Sequence, residues 1–288
     1  MVAARALAEG GTRVDLVSVD SMQVYRGMDI GTAKPTDAER AEVVHHGLDL
    51  VDPTDDFTVA DFKVAHAAAL DGIEAAGAQA ILVGGTGLYH RVVIDEFDLP
   101  GEYPEVRHEL DAEPDTAALH RRLAELDPSA AEKMEPTNRR RVVRALEVTL
   151  GTGRPFSSFG PGVDHYPAGG VTQIGLRWPR PVIADRIEAR VHQMIADGLV
   201  AEVEHLAASG FSRTAGQALG YKEIVAALHG EMSQDEAVEL IITRTRQLAV
   251  RQERWFRRDP RVRWIDVEAD AVAECAPTVI DLLQQAVA

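Results

Sequence analysis

The segment from Asp20 to Pro35 (DSMQVYRGMDIGTAKP) concentrates acids, hydroxyls, an amide, two glycines and a lysine within sixteen residues. A carboxylate followed at once by Ser21, Met22 and Gln23 offers a proton acceptor beside hydrogen-bonding groups, the equipment of a general base in a polar pocket. Taken alone, Asp20 serves equally well as the cap of a following helix. A second polar turn, Gly84-Gly85-Thr86-Gly87, follows Ala80 to Val83, and Thr86 there fits a helix N-cap. Arg186 and Arg190 are four residues apart on one helical face, and two such arginines are ordinarily solvated or paired with Asp185 or Glu188. Between Glu239 and Arg263 stand eight arginines and three acids, a local balance of about +5. Arg244, Gln247, Arg251, Arg254 and Arg258 fall on one side of a helix there, beside Trp255 and Phe256. Arginine pairs with phosphates and stacks on bases, although a charge run alone is more often a solvated face. Arg139, Arg140, Arg141 and Arg144 make a second basic cluster.

The elements that must hold these residues alternate. Val2 to Glu9 reads as the back of a helix stopped at Gly10-Gly11, and Val14 to Val19 as a buried strand ending on Asp20. Ligands of open α/β sheets gather at that C-terminal edge. Val59 to Ala76 has helical spacing, Ala80 to Val83 reads as a second buried strand, and Leu88 to Ile94 as a helix. From Asp95 to Asp115 nine carboxylates face one arginine, Arg107, with three prolines among them, which marks a boundary. Helices are predicted over Ala117 to Leu126 and Asn138 to Leu150, a Gly/Pro/Ser-rich stretch over Gly151 to Gly170, and a strand over Val171 to Leu176. After Pro181 the pattern is entirely helical. The expected division is an α/β core over 1–97 and 171–288, interrupted by a helical insertion over 98–170.

Composition bounds the rest. The chain has 288 residues, 45% hydrophobic and 26% charged, which excludes a disordered or fibrous protein. The net charge of -16 argues on average against a polyanionic partner, but the arginine clusters show that the average is the wrong scale. The single cysteine, Cys275, excludes an internal disulfide and a cysteine-built metal centre. No apolar run approaches a membrane span, and a cytoplasmic protein is expected.

The Asp20 to Pro35 segment resembles, residue for residue, the signature of the tRNA dimethylallyltransferases, the isopentenyl-tRNA transferase family. Ile81-Leu82-Val83-Gly84-Gly85-Thr86-Gly87-Leu88-Tyr89 is similar to the family's second motif, Arg144-Ala145-Leu146-Glu147 to its third and Gln217-Ala218-Leu219-Gly220-Tyr221-Lys222-Glu223 to its fourth. Thr245 to Gln252 with Trp255-Phe256-Arg257 resembles the fifth, so the likeness runs over nearly the whole chain. It implies a P-loop-NTPase-like parallel sheet carrying a helical insertion domain. It also implies transfer of a dimethylallyl group from dimethylallyl diphosphate to the N6 amine of the adenosine 3′ of the anticodon, with Mg2+ and nucleotide (ATP) binding.

That amine is a poor nucleophile because its lone pair is delocalised into the ring, so a base must take its proton as the new bond forms. The resemblance gives this role to Asp20 and the leaving diphosphate to Arg190. It places Asp20, Ser21, Met22, Gln23, Thr86, Gln217, Gly220, Lys222, Arg251, Gln252, Arg254 and Arg257 on the tRNA, together with Arg107, Arg140, Arg141 and Arg144 of the insertion. The two basic patches are expected to clamp an anticodon stem-loop, and a monomer is expected.

One feature departs from the family. Its members begin with a strand and a G-x-T-x-x-G-K-[ST] phosphate loop, and these 288 residues contain no such motif. Val2 to Glu9 resembles the helix that follows that loop, which is read as an N-terminal truncation, a start codon placed too far downstream. The chain as written is expected to bind prenyl diphosphate poorly and to transfer little; an upstream-extended protein of equal activity would contradict this. The alternatives are a catalytically impaired tRNA-binding protein, and a P-loop kinase or free-nucleotide prenyltransferase, which would need neither the insertion nor the arginine stripe.

Overall fold

The computed structural model describes residues 1–287 except 96, 98, 161, 169 and 170. In chain order the elements are α1 (Val2–Glu9), β1 (Val14–Ser18), α2 (Asp37–Glu42), β2 (His45–His46), α3 (Val59–Ala75), β3 (Gln79–Val83), α4 (Gly87–Ile94), α5 (Pro104–Asp111), α6 (Thr116–Leu126), α7 (Pro128–Glu132) and α8 (Arg139–Thr152). Then follow β4 (Gln173–Arg177), α9 (Arg180–Ala196), α10 (Leu199–Ala207), α11 (Tyr221–Leu228), α12 (Gln234–Phe256), β5 (Val262–Asp266) and α13 (Ala271–Val287). The chain divides into two compact units, Met1–Ile94 with Ala168–Ala288, and Asp95–Pro167.

The first unit is α/β. Among the described residues its strands form two sheets, β2-β1-β3 and β4-β5, every pairing parallel. Parallel neighbours need a crossover long enough for a helix, and α3 supplies it between β1 and β3. The helices start where local chemistry satisfies their free N–H groups: capping boxes join Thr36 to Glu39, Thr58 to Asp61 and Ser233 to Glu236. One hydrophobic core joins Phe62 of α3, Tyr89 of α4, Val191 of α9, Leu199 of α10, Tyr221 of α11 and Ile242 of α12. A smaller one packs α1 on β1 through Ala4, Leu7, Val14 and Leu16.

Two expectations are corrected. The region after Pro181 is not all helix, because β5 pairs with β4 in register from Gln173↔Val262 to Arg177↔Asp266. Its sequence, VRWID, mixes charged with apolar residues because most of the strand is half exposed, so it lacks the buried-strand pattern. β3 is likewise not buried: its residues are half exposed, and Val83 is 54% exposed. β1 is the buried strand, with all five residues enclosed.

The second unit is helical. Leu110, Leu119, Leu123, Val142, Val143 and Leu146 of α5, α6 and α8 close its core. α5 forms within the acidic stretch because Pro104 occupies a first-turn position, where its missing N–H is harmless, and Arg107 pairs with Asp111 one turn on.

Candidate active site

Asp20 stands two residues past the end of β1, where the chain turns away from the sheet. Its Oδ1 accepts the backbone N–H groups of Met22 at 2.8 Å and Gln23 at 3.4 Å. Its Oδ2 has no hydrogen-bond partner among the described residues. The carboxylate is therefore both the cap of its own turn and, through its second oxygen, an open acceptor. Burial raises its pKa above the ordinary carboxylate value, and the two N–H groups only partly oppose that rise.

The loop after Asp20 is less polar than its sequence. Val24, Tyr25 and Met28 are fully buried in the main core, so every few residues an apolar side chain pins the polar segment down. Lys34 closes the loop from within: its buried ammonium donates to the Tyr25 carbonyl at 2.5 Å, to Asp29 at 2.8 Å and to Asp49 at 2.5 Å. Arg40 holds the other oxygen of Asp49 at 2.7 Å. Gln23 is a strut of the same kind. Its Oε1 accepts from the Ser18 hydroxyl at 2.7 Å, and its Nε2 donates to the carbonyls of Thr32 and Ala33.

The Gly84–Gly87 turn packs beside it. The Thr86 hydroxyl accepts the backbone N–H of Ser21 at 3.2 Å, so it ties the two loops together in addition to preceding α4. Gln252 of α12 donates to the Gly85 carbonyl at 3.0 Å. The glycine turn allows this approach: a Cβ on Gly87 would lie 2.3 Å from the Trp255 ring, and one on Gly85 would lie 2.3 Å from Gln252 Nε2, so that the amide would have to shift. Tyr89, in electrostatic reach of Asp20, has its hydroxyl pushed up to about 12, chiefly by burial.

A family profile described as IPP transferase matches residues 23–259. The chain belongs to the IPP transferase family. The tRNA dimethylallyltransferase of Thermobifida fusca (strain YX) is 48% identical over 276 residues, covering 94% of this chain and 86% of that protein. That of Kineococcus radiotolerans is 47% identical over 281 residues, covering 96% and 88%. The crystal structure of the full-length tRNA isopentenylpyrophosphate transferase from Bacillus halodurans superposes with a TM-score of 0.71 at 36% identity, over 99% of this chain and 92% of that one. A eukaryotic dimethylallyltransferase acting on tRNA shares the fold, with a TM-score of 0.80 at 22% identity over 99% and 76%. The fold class is accordingly the α/β, P-loop-NTPase-like one of the IPP transferases.

The remaining residues implied by the IPP transferase likeness fall into open and engaged sets. Arg190 is exposed on α9, with no hydrogen bond or ion pair to a described residue, whereas Arg186 stacks 4.4 Å from the Trp178 ring centre. On α12, Arg251 and Arg254 are exposed. Arg257, just past its end, lies 3.6 Å from Glu253, and Arg258 stacks 4.7 Å from the Trp255 ring. Arg244 is engaged elsewhere: it pairs with the fully buried Glu223, whose second oxygen accepts the Gly220 N–H at 2.9 Å. The Gln217 to Glu223 motif is thus bolted to α12, with Gln217 and Lys222 exposed and 3.3 Å apart. In the helical unit Arg107 and Arg144 both pair with buried Glu147, at 3.4 and 2.8 Å, while Arg140 and Arg141 are exposed. Lys34 carried a signal, standing immediately before Pro35, whereas Arg40, six residues on, belongs to no motif. Glu202, which appears below, carried none.

Proposed function

We propose that this protein transfers a dimethylallyl group from dimethylallyl diphosphate to the N6 amine of the adenosine 3′ of a tRNA anticodon. The observation that carries the reading is the open Oδ2 of Asp20, a burial-raised carboxyl held by its other oxygen at the edge of β1. An ionised carboxylate with a raised pKa is a stronger proton acceptor than an ordinary one. N6 attacks the allylic carbon, the carbon–oxygen bond to diphosphate breaks with its electron pair leaving on oxygen, and the N6 proton passes to Asp20. Ser21 and Met22 line the place of the base. Gln23 acts indirectly, by bracing the loop.

Arg190 is the chain's candidate for the departing diphosphate, since it is exposed and has no partner among the described residues to surrender. Among the described residues no three His, Cys, Asp or Glu side chains gather to hold a metal ion. A magnesium ion needs no such cluster, since it keeps several waters and takes only one or two protein oxygens; bound with the diphosphate it would supply charge for the departing group. The exposed Arg251 and Arg254 of the first unit, and Arg140 and Arg141 of the second, are the phosphate-facing cations for the RNA. No helix among the described residues is long and apolar enough to cross a membrane.

The test is made in cells. Mass spectrometry of tRNA hydrolysates is expected to find N6-isopentenyladenosine in cells carrying the gene and to lose it on deletion. Persistence of the modified nucleoside after deletion would contradict the reading, and RNA binding by the purified protein without any effect on modification would leave it a tRNA-binding protein.

A further inference from the structure

The backbone N–H groups of three consecutive loop residues converge on one carboxylate that belongs to none of the motifs. Glu202 of α10 accepts from Asp29 at 3.1 Å and Ile30 at 2.8 Å on Oε2, and from Gly31 at 3.3 Å on Oε1. Its Oε1 also accepts the Tyr221 hydroxyl at 2.5 Å. Tyr221, fully buried, opens α11, and the loop is pressed onto its ring so closely that a Cβ on Gly31 would lie 2.4 Å from it. Four donors on two segments therefore meet in one anion, which makes these bonds charge-assisted.

The grip reaches toward Asp20 through the loop. Immediately after Gly31, the carbonyls of Thr32 and Ala33 hold the Gln23 amide, whose own backbone N–H is one of the two that cap Asp20. We propose that Glu202 is a positioning residue for the transfer reaction, clamping residues 29–31 and Tyr221 so that the Asp20 loop keeps the shape in which its open oxygen meets the amine. This rests on the transferase reading.

Glu202→Gln is the informative change, because an amide has a single acceptor oxygen and its NH2 would face backbone donors. Hydrogen exchange of the purified full chain is expected to show the amides of residues 29–31 exchanging about tenfold faster or more, with protection elsewhere in the first unit retained. Affinity for anticodon stem-loop RNA is expected to stay within about twofold, and the isopentenylated fraction of tRNA, in cells whose only copy carries the change, to fall by about fivefold or more. Tyr221→Phe, which removes one donor of four, should move both readouts less and in the same direction. Unchanged exchange at 29–31 overturns the clamp. Faster exchange with undiminished modification overturns its part in the reaction. Loss of protection throughout the chain in both variants overturns positioning in favour of a fold-wide role. If deleting the wild-type gene leaves tRNA modification intact, the transferase reading fails and takes the positioning role with it, while the exchange result alone still decides whether the clamp exists.

Discussion

Asp20 combines a strong local tether with an unfavourable electrostatic setting, and the combination has a measurable sign. Its pKa is raised in the folded chain, chiefly by burial, so the ionised form opposes folding: any stability it contributes is complete below the unfolded pKa and is lost as pH rises through the folded one. Asp20→Asn keeps an oxygen for the Met22 N–H and removes the charge. The variant should unfold at a higher temperature than the wild type at pH 7, and the difference should vanish as pH falls below the ordinary carboxylate range; a lower melting temperature at pH 7 would show that the charge helps the fold. The same raised pKa places the acid limb of the rate profile above that range. The residue type and its position at a strand end were legible in the sequence. The bifurcated capping was not, because whether an aspartate caps, catalyses or does both depends on where its second oxygen points.

At the scale of elements, α3 carries a buried titratable group outside the proposed chemistry. His66 is 4% exposed beside the Phe62 ring, its Nε2 has no hydrogen-bond partner among the described residues, and burial lowers its pKa to about 4 from 6.5. A lowered histidine pKa favours the neutral folded form, so the stability is whole above about 6.5 and is lost as pH falls toward about 4. Over that window the loss should reach about 3 kcal/mol. Urea unfolding at pH 7 and pH 4.5 should show it, and His66→Leu should flatten the slope. A second prediction concerns α11 and α12. Glu223→Ala leaves the Gly220 N–H and the partly exposed Arg244 without their buried acceptor, and should cost about 1 to 3 kcal/mol; no measurable loss would mean water replaces the carboxylate. The helices α1, α3, α4, α6 and α8 and the strands β1 and β4 were legible because a stripe or a short apolar run marks each. β5 was not, since a half-exposed strand between charged residues has no buried face to advertise. Glu202 was invisible for a related reason, its partners being backbone N–H groups that have no sequence identity.

For the whole molecule, net charge and local charge give opposite answers about an RNA partner. The chain carries -16, yet α12 and the start of α8 each present a pair of exposed arginines, Arg251 with Arg254 and Arg140 with Arg141. Structure sorts these arginines in a way that composition does not: Arg244, Arg107 and Arg144 are bound to buried glutamates, leaving Arg251, Arg254, Arg140 and Arg141 open. Stem-loop binding should weaken steeply with salt. Each of Arg251→Ala and Arg254→Ala should lower the slope of log affinity against log salt by about 0.7 to 0.9, read by fluorescence anisotropy; unchanged slopes would place the RNA elsewhere. The motifs made the family legible because they are short, local and chemically specific, whereas the distribution of ion pairs required the fold.

The central claim is that Asp20 takes the proton from the reacting amine. Its most direct measurement is the N6-isopentenyladenosine content of tRNA from cells whose only copy carries Asp20→Asn, set beside the stem-loop affinity of the purified variant. The account predicts that modification falls by about a hundredfold or more, with affinity within about twofold of wild type. Modification near the wild-type level, or a loss that follows a collapse of RNA binding, would contradict it.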